Sequence, residues 1–192
     1  HEIVFRNLWR QLLVGTSMRD KILNFGRFLF FRIEEVGALK SFDLIITMSD
    51  EDSSYLAKFT KKRNIEIIPN GVNTDDFPFP QDIRPSRQLY FIGWFKNLQN
   101  VDAINFFLDE LLPAYSSQGI NFKMKIIGKG VGEDLKERFS SLGFDYIEYL
   151  PDNMLSSLSN SVLIVPLRFG GGTRLKILEA MSMGNPVLSS LI

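Results

Sequence analysis

The sequence predicts an α/β protein built on a doubly wound parallel sheet, and three observations carry that expectation. From Phe42 onward, short apolar runs alternate with segments of helical periodicity. Such alternation argues for right-handed βαβ units with parallel strands. Small and charged residues gather just after four of the apolar runs, where open α/β sheets bind their ligands. An apolar content of 45% over 192 residues is ordinary for a globular chain with one full domain or one and a half.

Taken in order, residues 1 to 40 are aromatic-rich (Phe25, Phe28, Phe30, Phe31) with scattered charges and read as one or two amphipathic helices. They are expected to pack on a sheet whose other strands are missing. A membrane-surface or acceptor-side role is the weaker alternative. FDLIITM is a buried strand. SDEDSSYLAKF starts a helix, with Ser49 as cap and Asp52 in the capping-box position. IEIIP is a second strand, ended by the turn signal Asn70-Gly71. FPFPQDIRPSRQ holds three prolines and little periodicity, so it is a linker or an extended crossing.

Beyond it, QLYFIG, FKMKIIG, YIEYL, SVLIVPL and PVLSS read as strands. NVDAINFFLDELLPAY, GEDLKERFSSL, DNMLSSLSN and TRLKILEAMSM read as the helices between them. The loops after the strands carry Gly93, then Gly128-Lys129-Gly130, then Leu150-Pro151-Asp152, then Gly170 to Thr173. All four are expected on one edge of the sheet.

Composition removes several functions. With 22 basic and 22 acidic residues the net charge is zero, so a nucleic-acid partner is not expected. The absence of cysteine excludes a disulfide scaffold and a Cys-ligated metal, and fits a reducing, cytoplasmic compartment. FGRFLFFRIEEVGAL is interrupted by Arg27, Arg32, Glu34 and Glu35, well short of the ~20 apolar residues of a membrane span. No secretory signal with a cleavage site is present. The chain starts on His1 and stops after PVLSS without a closing helix, so it reads as a piece of a longer one.

Asp50-Glu51-Asp52 forms a D-x-D, but acidic residues are favoured at a helix start by the dipole, and that reading is the stronger one. Gly128, Gly130 and Gly132 give G-x-G-x-G without the acid that a nicotinamide fingerprint needs. His1 stands alone, and no serine elbow occurs.

The stretch RFGGGTRLKILEAMSMGNPVLSS holds a physical conflict. Arg174 and Lys176 lie in the first turn of its helix, where the partial charge is already positive, and Glu179 falls on the apolar side beside Leu175 and Met183. A bound anion resolves the first half: glycine N–H groups at a helix start hold phosphate, and the cations become its counter-charges. Glu179 could then accept hydrogen bonds from a polyol such as a ribose, since a buried carboxylate needs a donor. The plainer alternative is a tight strand-to-helix turn at Gly170, Gly171, Gly172 and Thr173 with a Lys176–Glu179 surface pair.

That stretch resembles the donor-site signature of GT-B glycosyltransferases of family 4, in the subgroup with GGGTR-x-K before LEAM. IEIIPNGVNTDDF resembles the family's domain-crossing segment. FIGWFKNLQNVDAINFFLDELLP and MKIIGKG resemble the first βα units of its C-terminal, Rossmann-like donor domain. The resemblance implies the incomplete end of an acceptor-side domain over 1–70, a linker over 71–88 and a donor domain over 89–192. It implies a retaining transferase, working without a metal or other cofactor, that moves a sugar from a UDP- or GDP-linked donor to a glycan- or lipid-linked acceptor in polysaccharide biosynthesis. Peripheral association with the inner face of the membrane stays open, and the piece alone is expected to be inactive.

Gly170, Gly171, Gly172, Thr173, Arg174, Lys176, Gly93 and Lys96 are expected to hold the donor phosphates. By the same resemblance, Glu179 holds the ribose as the second glutamate of the E-x7-E motif. Gly128, Lys129, Gly130, Leu150, Pro151 and Asp152 surround the base. Two positions depart from the pattern. The first glutamate falls on Gly171, and the Arg and Lys after the first strand fall on Trp94 and Gln99. No catalytic residue is assigned. Phosphate neutralisation is expected to have moved to Arg174 and Lys176, helped by Lys96. The rival expectation is a non-catalytic nucleotide- or sugar-phosphate-binding module of the same fold.

Overall fold

The computed structural model describes residues 3–14, 18–60, 64–77, 79, 87–170 and 174–191. The chain divides into two compact units, His1–Gly71 with Phe169–Arg174, and Val72–Arg168 with Leu175–Ile192.

The first unit opens with helices α1 (Val4–Val14) and α2 (Met18–Leu39). Strand β1 (Leu44–Thr47), helix α3 (Asp50–Thr60) and strand β2 (Asn64–Ile67) follow. Both strands pair in parallel from Leu44↔Asn64 to Thr47↔Ile67. Aromatic rings join the helices: Phe5 lies 6.4 Å from Phe28 of α2 and 5.4 Å from Phe59 of α3, and Trp9 lies 5.4 Å from Phe28. The first N–H groups of a helix lack internal partners. The Glu35 carboxylate supplies them for α1, accepting from the N–H of Val4 at 3.1 Å and of Phe5 at 3.0 Å.

Ser49 caps α3 as its sequence position suggests, with the Asp52 N–H donating to Ser49 Oγ at 3.1 Å. Glu51 and Asp52, two of the three acids that follow, are held by α1. Arg6 is buried, donates to Asp52 and Glu51, and lies 4.9 Å over the Tyr55 ring. Arg10 donates to Glu51 as well. Burying a guanidinium requires such partners, and Glu51 and Asp52 of the D-x-D stretch are taken up by arginines of α1.

The second unit contains β3 (Gln88–Ile92), α4 (Leu98–Phe106), α5 (Leu112–Ser116), β4 (Lys123–Ile127), α6 (Glu133–Ser141) and β5 (Asp145–Ile147). Strand β6 (Val162–Val165), helix α7 (Leu175–Ser182) and strand β7 (Val187–Ser189) complete it. The five strands are parallel in the order β5-β4-β3-β6-β7. Consecutive strand residues are buried, Tyr90 with Phe91, Ile126 with Ile127 and Leu163 with Ile164, so both sheet faces are covered. Ala103, Ile104 and Phe107 from one helical segment, Phe139 from α6 and Ala180 from α7 complete that core.

Two helical expectations change in detail. The segment from Asn100 to Tyr115 is interrupted by a wide π turn at Phe107–Leu111. Pro113 lies just beyond, offers no N–H to the carbonyl four residues back and crowds it, which disrupts a regular α ladder. DNMLSSLSN winds as a 3-10 turn over Asp152–Leu158. In the proline-rich crossing, residues 78 and 80–86 lie outside the described residues.

Candidate functional site

Because all five strands run the same way, the loops after Ile92, Ile127 and Ile147 leave from one edge of the sheet. There they line an open cavity of about 580 Å³. It is lined by Gly93 and Gly128 with Lys129, by the apolar Ile92, Ile127, Leu150 and Leu155, and by Phe77, Trp94, Glu148 and Tyr149. The three sequence-predicted loops at Gly93, Gly128 and Leu150 therefore converge.

Hydrogen bonds lace these loops together. The Gly93 N–H donates to Ile127 O at 3.0 Å, Phe95 N–H to Lys129 O at 2.8 Å, and Gly128 N–H to Ile147 O at 2.9 Å. The Tyr146 hydroxyl donates to Gly128 O at 3.1 Å. Glycine is required at two of these places. Gly128 has φ +146°, and a Cβ there would lie 1.7 Å from Gly93 O. A Cβ on Gly93 would lie 2.8 Å from the Asn100 side chain. At these two positions the lining is thus bare main chain, suited to close approach by a ligand.

Other predicted residues occupy different places. Gly130 does not line the cavity; it backs onto Lys96, whose Cγ would lie 3.3 Å from an added Cβ. Lys96 is exposed with its ammonium 5.9 Å from the Trp94 ring centre, and Lys129 lies 5.4 Å from that of Tyr149. Pro151 precedes the 3-10 turn without lining the cavity, and the side chain of Asp152 lies outside the described residues, as do Gly171, Gly172 and Thr173. Gly170 and Arg174 belong to the first unit, where Arg10 donates to Gly170 O.

Lys176, in the first turn of α7, reaches the end of β3. Its Nζ donates to Ile92 O at 2.5 Å, stands 3.4 Å from Asn100 Oδ1 and lies 5.2 Å from the Phe91 ring centre. That placement differs from the surface pair with Glu179, because a strand-end carbonyl and an amide lie within its reach. Glu179 is half-buried, and burial raises its pKa above the ordinary carboxylate value while the Lys176 charge opposes the shift. Nearby, burial also pushes up the Tyr90 phenol, which an Asn185 hydrogen bond counteracts and the Glu179 charge reinforces.

The family model described as "Glycosyl transferases group 1" matches residues 86–192, more than half of the chain. The chain belongs to this glycosyltransferase family. Its fold is of the GT-B type, a parallel-sheet α/β architecture that recurs in solved glycosyltransferases. TarM aligns with a TM-score of 0.65 and 15% identity over 83% of this chain and 32% of TarM. The GtfA/B complex aligns at 0.63 and 16% identity over 85% of this chain and 33% of that one. The pneumococcal O-GlcNAc transferase GtfA, solved with UDP and GlcNAc, aligns at 0.60 and 16% identity over 83% of this chain and 32% of its own. The chain spans about a third of the length of these structures. No curated protein matches its sequence. Among the described residues of this group 1 chain, no helix is long and apolar enough to cross a membrane.

Sequence reasoning missed three site residues. Trp94 was visible only as a departure from a motif, yet it lines the cavity together with Tyr149. Trp94 follows the expected strand QLYFIG directly, whereas Tyr149 falls inside the expected strand YIEYL, which the structure ends at Ile147. Asn100 gave no signal, because a single asparagine in a helical run says nothing of its partners.

Proposed function

We propose that this chain is the donor-side part of a retaining glycosyltransferase of family 4, in the GGGTR-x-K subgroup, that transfers a sugar from a UDP- or GDP-linked donor. The observation that carries the reading is the open 580 Å³ cavity lined by Gly93 and Gly128 at the carboxyl edge of the sheet. A nucleotide base fits among its apolar side chains and the Trp94 and Tyr149 rings. Glu179 takes the ribose hydroxyls, and the glycine loop with Arg174 and Lys176 takes the diphosphate. Solved complexes of similarly folded proteins support the ligand class: GtfA holds UDP and GlcNAc, and S. aureus TarM holds UDP with fondaparinux and alpha-GlcNAc-glycerol. The acceptor is then a glycan or a lipid-linked glycan.

The chemistry needs charge stabilisation more than covalent help. As the glycosidic bond breaks, negative charge grows on the departing diphosphate, and fixed N–H groups and cations in a dry cleft stabilise it. No metal or other cofactor is required for that role. Residues 1–70 would be the end of the acceptor-side domain and 71–88 the crossing to the donor domain.

A thermal-shift comparison of UDP-, GDP- and ADP-sugars with the full-length protein identifies the donor, since a ligand bound by the folded state raises its stability. Arg174→Ala is expected to weaken nucleoside diphosphate binding by about 1.5–3 kcal/mol and leave the nucleoside unaffected. Equal losses by calorimetry would remove the phosphate role. A non-catalytic binding module is the second reading, favoured by Gly171 in place of the first motif glutamate. Transfer of labelled sugar by the full-length protein, lost in Glu179→Ala, decides for the enzyme.

A further inference from the structure

Asn100 is buried in the first turn of α4, and its amide faces two ways. Its Nδ2 donates to Trp94 O at 2.8 Å, and its Oδ1 lies 3.4 Å from the Lys176 ammonium. The same ammonium donates to Ile92 O, and Ile92, Gly93 and Trp94 all line the cavity. Gly93 lacks a Cβ because the Asn100 side chain fills that space. One amide therefore holds the turn after β3 by a donor and steadies the lysine of α7 by an acceptor.

We propose that Asn100 is a positioning residue that sets the Gly93–Trp94 turn and orients the Lys176 ammonium for a nucleoside diphosphate. The inference rests on the proposed donor site. An amide suits the task because it offers a donor and an acceptor on separate atoms and carries no charge. Aspartate in its place could not donate to Trp94 O, and its carboxylate would form a buried pair with Lys176 that neutralises the ammonium. Leucine would satisfy neither group and leave a carbonyl without its donor.

Calorimetry on the full-length protein with UDP, GDP and their nucleosides tests the role. The wild type is expected to bind at least one diphosphate more tightly than its nucleoside. Asn100→Asp is expected to weaken that diphosphate about tenfold or more, the size of a lost charge-assisted contact, and leave the nucleoside within about twofold. In a Lys176→Met background the same change should have no further selective effect. Equal losses for diphosphate and nucleoside, or an undiminished selective loss without the lysine, overturn the inference. If Asn100→Asp does not fold, as judged by circular-dichroism melting, Asn100→Ser replaces it with a smaller loss confined to the diphosphate. A uniform loss, or none, overturns the role. A wild type that does not distinguish diphosphate from nucleoside overturns the donor-site reading itself. Discrimination by the wild type that Asn100→Asp leaves intact overturns only the part assigned to Asn100.

Discussion

In the second unit, neighbouring residues such as Tyr90 and Phe91 on one strand are both buried, whereas strand β1 of the first unit alternates, with Ile45 inside and Ile46 56% exposed. Five parallel strands with helices on both faces have somewhere to put every apolar side chain. Two parallel strands do not, and a sheet that small is marginal by itself. The first unit accordingly relies on other contacts: the aromatic cluster around Phe5, the buried Arg6 with Asp52 and Glu51, and the Glu35 cap on α1. Equal-looking βα patterns in a sequence can thus differ in how their apolar surface is covered.

The largest test of this difference is a pair of core truncations. Phe91→Ala in the second unit is expected to cost about 3–5 kcal/mol, whereas Ile46→Ala should stay within about 0.5 kcal/mol. Urea unfolding measures both, and similar losses would erase the contrast. Glycines sharpen it next. Gly128→Ala forces a Cβ against Gly93 O in a left-handed backbone and is expected to cost about 1–3 kcal/mol and abolish nucleotide binding. Gly26→Ala, inside α2 with nothing within 4 Å, should instead stabilise by about 0.5–1 kcal/mol. Thermal melts with parallel calorimetry separate the two, and a Gly128→Ala protein that binds nucleotide normally would sink the close-packed lining.

The smallest effect concerns Glu179. Burial raises its pKa in the folded chain, so the native state holds that proton more tightly than the unfolded chain does. The associated stability is complete below the unfolded value of 4.5 and is lost as pH rises through the raised folded value. Glu179→Gln removes the ionised form and is expected to raise Tm near pH 7, with the gain fading towards about pH 4. A Tm difference that grows on acidification would contradict a carboxylate strained by burial.

Much of this is legible in the amino-acid sequence. The strand QLYFIG and the cap at Ser49 show in the residues because apolar periodicity and capping chemistry act over a few neighbours, whereas the expected turn at Asn70-Gly71 is extended chain in the structure. The convergence of Gly93, Gly128 and Leu150 was legible because parallel topology leaves few arrangements open. Lys176 was less so. Its sequence neighbours suggest either an anion or Glu179, while Ile92 O and Asn100, which it meets, lie far away in the chain.

By itself, the amino-acid sequence determined the alternation of strands and helices, the edge that carries the loops, the cap at Ser49 and the family resemblance of the glycine stretch. These follow from local periodicity, backbone preference and the small set of connections a parallel sheet permits. Only the tertiary structure decided that Gly128 packs against Gly93 O, that Trp94 and Tyr149 line one cavity, and that Arg6 holds Glu51 and Asp52 of α3. Those contacts join residues distant in sequence, where direction, distance and burial are set by packing, and no local pattern of residue types encodes them.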